Sequence, residues 1–255
     1  RAVALHARFA EMNLNRMFGR SAMASNPSTE ASYEWKRAIQ LEQHIQAFQP
    51  HQFLDLHSCS ALSPPFALPA DTTQSTRWAA SFPVRIVVQG LAHATQAKGT
   101  AMDFMLENYA RDTASICIEC GRHDARSSVD VAAACVQVAV SGKAAPPTTT
   151  PTLWLRCANS VHVREGFHWK RPIKPFETLK ADEVVAGDSA GEVRHVEQGA
   201  ACILVMPVVG EPVVPYVAIF SEYRWQARMY FCFNFVGGRG SVLRCKHCVW
   251  SRGLG

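Results

Sequence analysis

The stretch Phe53-Leu54-Asp55-Leu56-His57-Ser58 decides how the rest of the chain is read. Phe53, Leu54 and Leu56 form an apolar strand that delivers an acid and a histidine near its C-terminal end. Open α/β sheets bind ligands beyond the carboxyl ends of their strands, so a histidine there is well sited for chemistry. Downstream, Ser115-Ile116-Cys117-Ile118 reads as a second strand and runs into Glu119-Cys120-Gly121, which delivers a carboxylate in the same way. A strand end with a metal-type ligand beside one with a general base is the minimum plan of a metal-assisted hydrolase. Taken singly, a strand-end histidine is more often structural, and a glutamate before glycine is more often a loop acid.

The flanking segments supply an α/β frame. Glu34 to Phe48 reads as a helix, because Ala38, Leu41, Ile45 and Phe48 recur at spacings of three and four while Lys36, Arg37, Glu42 and Gln43 fall elsewhere. Pro50 closes it. A Pro-rich loop (Pro64, Pro65, Pro69) follows the first strand, and Val84 to Val88 reads as a buried strand ended by Gly90. Gly99-Thr100 opens a helix over 101–109, with Asp103 in its first turn, where an acid suits the helix dipole. A small-residue helix is expected from Val129 to Val140, with Ser128 as N-cap. Residues 1 to 12 have a helical apolar spacing, and 21 to 30 are loop by composition. Alternating helices and strands of this kind point to a sheet with helices on its faces.

Residues 142–152 are a linker by composition. Beyond them, short β-rich runs separated by Gly, Asp and Pro describe a small β domain. The expected layout is an α/β domain at 1–141, the linker, a β-rich C-terminal domain at 153–220 and an irregular tail at 221–255. The tail holds one C-x-x-C, Cys245 to Cys248, which is half of a zinc site.

Of the 255 residues, 48% are hydrophobic and 18% charged, which describes a chain able to bury a core. The net charge of +5 is scattered, with no run of like charges, and argues against a nucleic-acid surface. No apolar run approaches the roughly 18 residues of a membrane span. Nine irregularly spaced cysteines in a chain this large point to a reduced, cytoplasmic setting. Self-association into a homo-oligomer stays open.

Four segments, in order, carry a family resemblance: Arg1 to Phe18, Asp55-Leu56-His57, the Gly99-Thr100 helix start, and Ile118-Glu119-Cys120-Gly121. Together they resemble the succinylglutamate desuccinylase/aspartoacylase family of zinc-dependent deacylases, and Pro172 to Met206 looks like that family's C-terminal β domain. The resemblance implies a zinc carboxypeptidase-like fold: a mixed sheet flanked by helices, then a small β-rich domain. It implies a Zn2+-dependent release of the acyl group from a small-molecule N-acyl amino acid. His57 matches the family's third zinc ligand and Glu119 its general base. Arg8, Asn15 and Arg16 match its substrate-binding arginine, asparagine and arginine, with Arg8 also matching the arginine that stabilises the developing oxyanion. Arg111 and Tyr216 are candidates for a further substrate arginine and a C-terminal-domain tyrosine. Guanidinium groups pair bidentately with carboxylates, so an arginine-rich site suits N-acylated acidic amino acids.

The chain departs from the family in two ways. The aspartoacylase branch has Asp where Asn13 stands, which weakens a reading of N-acetylaspartate as substrate. The family's H-x-x-E motif, source of two zinc ligands, is expected upstream of the arginine segment and does not stand there; the H-x-x-E spacing that the sequence does contain, His162-Val163-Arg164-Glu165, lies far downstream, and the chain opens at Arg1 in a helical pattern. The expectation is therefore a chain without its first strand, with a gap at the sheet and exposed apolar surface. With His57 as the sole protein ligand, zinc binding would be poor and turnover small. The alternatives are a non-catalytic relative that binds an anionic metabolite, separated by the upstream motif, and a carboxypeptidase-type peptidase, which should tolerate loss of Arg8.

Overall fold

The computed structural model describes residues 10–19, 32–59, 63–90, 99–110, 112–146, 149, 151–162, 166, 168–172, 174–179, 183–189, 191–194, 201–206 and 216–222. All lie in the first of two compact units, Arg1–Arg224; the second, Trp225–Gly255, with its Cys245–Cys248 pair, is outside the described residues.

Four α-helices and eleven strands are present among the described residues. In chain order they are α1 (Tyr33–Phe48), β1 (Gln52–Cys59), β2 (Phe66–Pro69), α2 (Thr73–Ala79), β3 (Ile86–Gln89), α3 (Ala101–Tyr109), β4 (Ala114–Arg122), α4 (Arg126–Ser141), β5 (Leu153–His162), β6 (His168–Trp169), β7 (Glu177–Leu179), β8 (Val184–Asp188), β9 (Gly191–Arg194), β10 (Ala201–Met206) and β11 (Tyr216–Glu222). One eight-stranded sheet has the order β1-β4-β2-β3-β5-β11-β10-β7, and β6-β8-β9 form a second, small sheet. The large sheet is mixed: β1 is parallel to β4, β4 antiparallel to β2, β2 and β3 parallel, and β3 parallel to β5. The fold is the expected α/β one, a mixed sheet flanked by helices; of the β-rich strands after residue 152, β5, β7, β10 and β11 continue the large sheet and β6, β8 and β9 make the small one.

Strand alternation assigns the faces. Leu54, Leu56, Ile116, Ile118 and Cys120 point one way, into a core with Ala67, Val87, Phe82, Val84 and the inner side of α4 (Cys135, Val138). Low dielectric there pushes the Cys120 thiol up to about 11 and the Cys135 thiol up to about 12. On the opposite face, Phe53 meets Trp35 and Ala38 of α1, Ala101, Phe104 and Met105 of α3, and Met17 and Phe18. Further along that face, Phe66, Ile86, Val88, Leu155 and Cys157 form a third cluster.

Ser32 caps α1 by accepting from the Trp35 amide, and Thr100 and Asp103 form a capping box on α3. Three local expectations change. Phe66–Pro69, read as Pro-rich loop, is a strand between β4 and β3, because the apolar run Phe66-Ala67-Leu68 outweighs its proline neighbours and Pro69 falls at its last position. The seven-residue helix α2 is additional; Thr72 caps it through the Ser75 amide. Helix α4 begins at Arg126 rather than near Val129, with Ala125 at its N-cap, and the Ser128 hydroxyl donates to the Arg122 carbonyl instead of capping. The proposed helix over 1–12 lies outside the described residues up to position 9, and 10–12 are non-helical.

Ile118 is fully buried, back to back with the face that bears Glu119. Ile118→Ala should lower the unfolding free energy in urea by about 2–5 kcal/mol, from lost burial plus the cavity left behind. A loss below about 0.5 kcal/mol would contradict this packing.

Candidate active site

The parallel pairing of β1 and β4 sets Asp55 opposite Cys117 and His57 opposite Glu119. Residues two apart on a strand share a face, so these four side chains form a two-by-two patch on the α1/α3 side of the sheet. Because β1 and β4 are parallel, both carboxyl ends lie together, and the patch sits towards them. Beyond it the register shifts, with Cys59 opposite Arg122: β4 spends one residue more than β1 at Cys120-Gly121. Gly121 takes φ +117 there, and a Cβ on it would come within 2.9 Å of Ser128 Oγ. The Glu-Cys-Gly motif is thus a bulge that ends regular pairing just past the carboxylate.

His57 Nε2 lies 3.0 Å from Asp55 Oδ2, and both side chains are partly exposed, at 29% and 19%. Asn15 Nδ2 stands 3.5 Å from the same ring nitrogen. Cys117, the register partner of Asp55, is buried. Burial first, then the nearby Asp55 and Glu119 carboxylates, pushes its thiol well above the usual range. Past the patch, at the exposed strand end, Ser58 Oγ pairs with His123 Nδ1 at 2.7 Å.

The 3-10 turn Leu14–Arg16 brings Asn15 to the patch. Asn13 Oδ1 accepts from the Asn15 amide, and Asn15 Oδ1 accepts from the Ala101 amide at 2.9 Å, at the start of α3. The turn rests directly on Gly99, whose hypothetical Cβ would lie 2.5 Å from the Arg16 carbonyl oxygen, and the Phe18 amide donates to the Gly99 carbonyl. From the other side α1 holds the segment: Glu34 accepts from the amides of Ala10, Glu11 and Met12, and Glu42 accepts from the Gly19 amide. Burial acts to raise the Glu34 pKa, but those amides outweigh it and hold the carboxyl below its ordinary value.

Of the expected site residues, the structure brings together His57, Glu119 and Asn15. Arg16 is adjacent on the same turn; its side chain is exposed and donates to the Asn15 carbonyl at 2.5 Å. Arg8 and Arg111 lie outside the described residues. Tyr216 opens β11, four strands from β4 in the sheet order, and its side chain is also outside them. Sequence reasoning did not assign roles to Asp55, Cys117 or Glu34. The i, i+2 spacing of Asp55/His57 and Cys117/Glu119 was the available signal for the first two; no signal pointed to Glu34.

The residues suit a divalent metal. Asp55, His57 and Cys117 each offer a donor atom, all within 4.8 Å of one another, and among the described residues no other group of three does so. A cavity of about 1190 Å³ lies on the other face, around Leu54, Arg77, Trp78 and Val138. It has no carboxylate or thiol in its lining.

The profile of the succinylglutamate desuccinylase/aspartoacylase catalytic domain matches residues 1–134. The chain belongs to this family. Its structure is similar to succinylglutamate desuccinylase from Vibrio cholerae (TM-score 0.65, 17% identity, covering 87% of this chain and 68% of that one). It is similar also to the enzyme of that name from Vibrio parahaemolyticus (TM-score 0.64, 16% identity, 87% and 68%) and to murine aminoacylase 3 (TM-score 0.56, 16% identity, 87% and 80%). At such identities the likeness is one of fold. No curated protein sequence matches the chain. Among the described residues no helix is long and apolar enough to cross a membrane.

Glu34→Gln should destabilise the protein by about 1.5–3 kcal/mol at neutral pH, since a carboxylate serving three amides is replaced by a neutral acceptor. The folded pKa is depressed, so the unfolded chain binds more protons and this contribution is lost as pH falls. Urea denaturation of both proteins should show the difference full at neutral pH and shrinking below about pH 4.5.

Proposed function

We propose that this family member is a zinc-dependent amidohydrolase that removes the acyl group from an N-acyl amino acid of the N-succinylglutamate or N-acetylaspartate type. The observation that carries the reading is the register pairing of His57 with Glu119 on one sheet face, towards the shared carboxyl ends of two parallel strands. In this reading residues 1–141 carry the chemistry, residues 153–220 form the β-rich C-terminal part, and the protein works in the cytoplasm on a small molecule.

His57 would hold the zinc. Zinc there supplies Lewis-acid polarisation of the amide carbonyl and makes water easier to deprotonate. Glu119 takes a proton from the attacking water and passes it to the departing amine, a role that requires a rigidly held carboxylate within hydrogen-bond reach of both. Its place just before the bulge of β4 supplies that rigidity. Asn15, fixed through Ala101, presents its amide beside His57 and orients a polar group of the substrate. Arg16, with Arg8 and Arg111, pairs with substrate carboxylates, and Arg8 also stabilises the developing oxyanion. Tyr216 is the candidate for a C-terminal-domain tyrosine that reaches into the substrate pocket.

Amino-acid release from a panel of N-acyl amino acids, with zinc supplied, tests this. Glu119→Gln should lower kcat about 10²–10⁴-fold while bound zinc is unchanged. His57→Ala should abolish both zinc binding and release. Release that survives His57→Ala, or a Glu119→Gln variant as fast as the parent, would overturn the assignment.

A further inference from the structure

We propose that Glu34 and Glu42 of α1 are positioning residues for substrate affinity: their carboxylates strap residues 10–19 along the helix and so present Asn15 and Arg16 already ordered. This rests on the reading above for Asn15 and Arg16; the two acids, and the kinetic parameter they set, are the addition.

Glu34, Ala38 and Glu42 stand four residues apart on α1, so they line one face of the helix, with the two acids about 12 Å apart along its axis. At one end Glu34, which is buried, accepts from the amides of Ala10 at 2.6 Å and of Glu11 and Met12 at 3.2 Å. At the other end Glu42, half-buried, accepts from the Gly19 amide at 2.7 Å. Glu11 returns the contact, since its carboxylate accepts from the amide of Tyr33, the first residue of α1, at 3.0 Å. Between the two tethers Met17 and Phe18 share a core cluster with Trp35 and the fully buried Ala38. Asn15 and Arg16 fall in the middle of the strap, where the Asn15 carbonyl oxygen meets the Ala101 amide.

A segment whose regular structure is one 3-10 turn has little of its own to fix it. Two carboxylates at its ends do so, because hydrogen bonds to a charged acceptor are stronger than neutral ones. In a loose strap, substrate binding would have to supply the order, and apparent affinity would fall in proportion to the fraction of molecules already ordered. His57 and Glu119 are held differently, by the ladder between β1 and β4. Loosening the strap therefore acts on KM and spares kcat. The two acids also differ in kind. Glu42 serves one amide, which a neutral acceptor can serve too; Glu34 serves three, which call for a charged one.

The test combines steady-state kinetics on N-succinylglutamate and N-acetylaspartate, zinc supplied, with amide hydrogen exchange on the full chain. Glu34→Gln and Glu42→Ala should each raise KM about 5–30-fold, with kcat within about twofold and bound zinc unchanged. Glu42→Gln should recover most of the parent KM. The amides of residues 10–12 should exchange faster in Glu34→Gln, and that of Gly19 in Glu42→Ala. Phe82→Leu, in the core on the opposite face, should lower stability and leave KM at the parent value. Faster exchange at an unchanged KM, a loss that appears in kcat instead, or an equal rise of KM in Phe82→Leu would overturn the positioning role and leave the proposed function standing. If the parent releases nothing, that function falls, and calorimetry with N-acetylaspartate decides the role of the acids. Affinity weaker by about 5–30-fold in the same two variants sustains it. Equal affinity, or no binding by the parent, overturns it.

Discussion

The pairing of β1 with β4 is the constraint on which the rest of the structure depends. Parallel strands bring their carboxyl ends to one place, and the His57–Glu119 register puts an imidazole and a carboxylate side by side there. A slip of β1 by one residue against β4 would turn Asp55 and His57 into the apolar core and Leu54 and Leu56 outwards. The register that packs the core therefore also assembles the patch. Ile116 and Ile118, both fully buried, enforce it from behind.

The second constraint is the seating of residues 10–19. That segment has little regular structure, a single 3-10 turn, and gains its position from what it touches. Glu34 gathers three successive amides, Glu42 takes the Gly19 amide, and Gly99 gives the Arg16 backbone room to approach. Any side chain at Gly99 would meet that backbone, and its φ of +77 favours glycine independently. Asn15 then links the turn to the α3 N-terminus on one side and His57 on the other. One buried and one half-buried acid on α1, Glu34 and Glu42, thus hold the turn at the sheet.

Much of this was legible in the sequence because it follows from short-range periodicity. Helix α1 has a clear 3.6-residue apolar repeat, and its observed bounds differ from the expected ones by one residue at the start. The start of α3 is marked in the sequence by Gly99-Thr100 and the first-turn Asp103, and in the structure Thr100 and Asp103 form a capping box there. His57 and Glu119 could be picked because each ends an apolar run. What was hidden depends on partners distant in sequence. Strand β2 is masked by its prolines and exists because β4 and β3 flank it. Ser128 has an N-cap's chemistry, yet the bulge at Gly121 offers it the Arg122 carbonyl instead. Asp55 and Cys117 acquire meaning only once two strands are laid side by side, and the role of Glu34 only once residues 10–12 are folded back onto α1.

The proposed function requires a metal ion at His57, on the face of the β1/β4 pair that bears Glu119. Anomalous diffraction at the zinc edge, from crystals of the full chain grown with zinc, tests it most directly. The account predicts one dominant peak within bonding distance of His57 Nε2, on the side of the sheet that bears Glu119. A dominant peak at the Cys245–Cys248 pair instead, with none at His57, would contradict it.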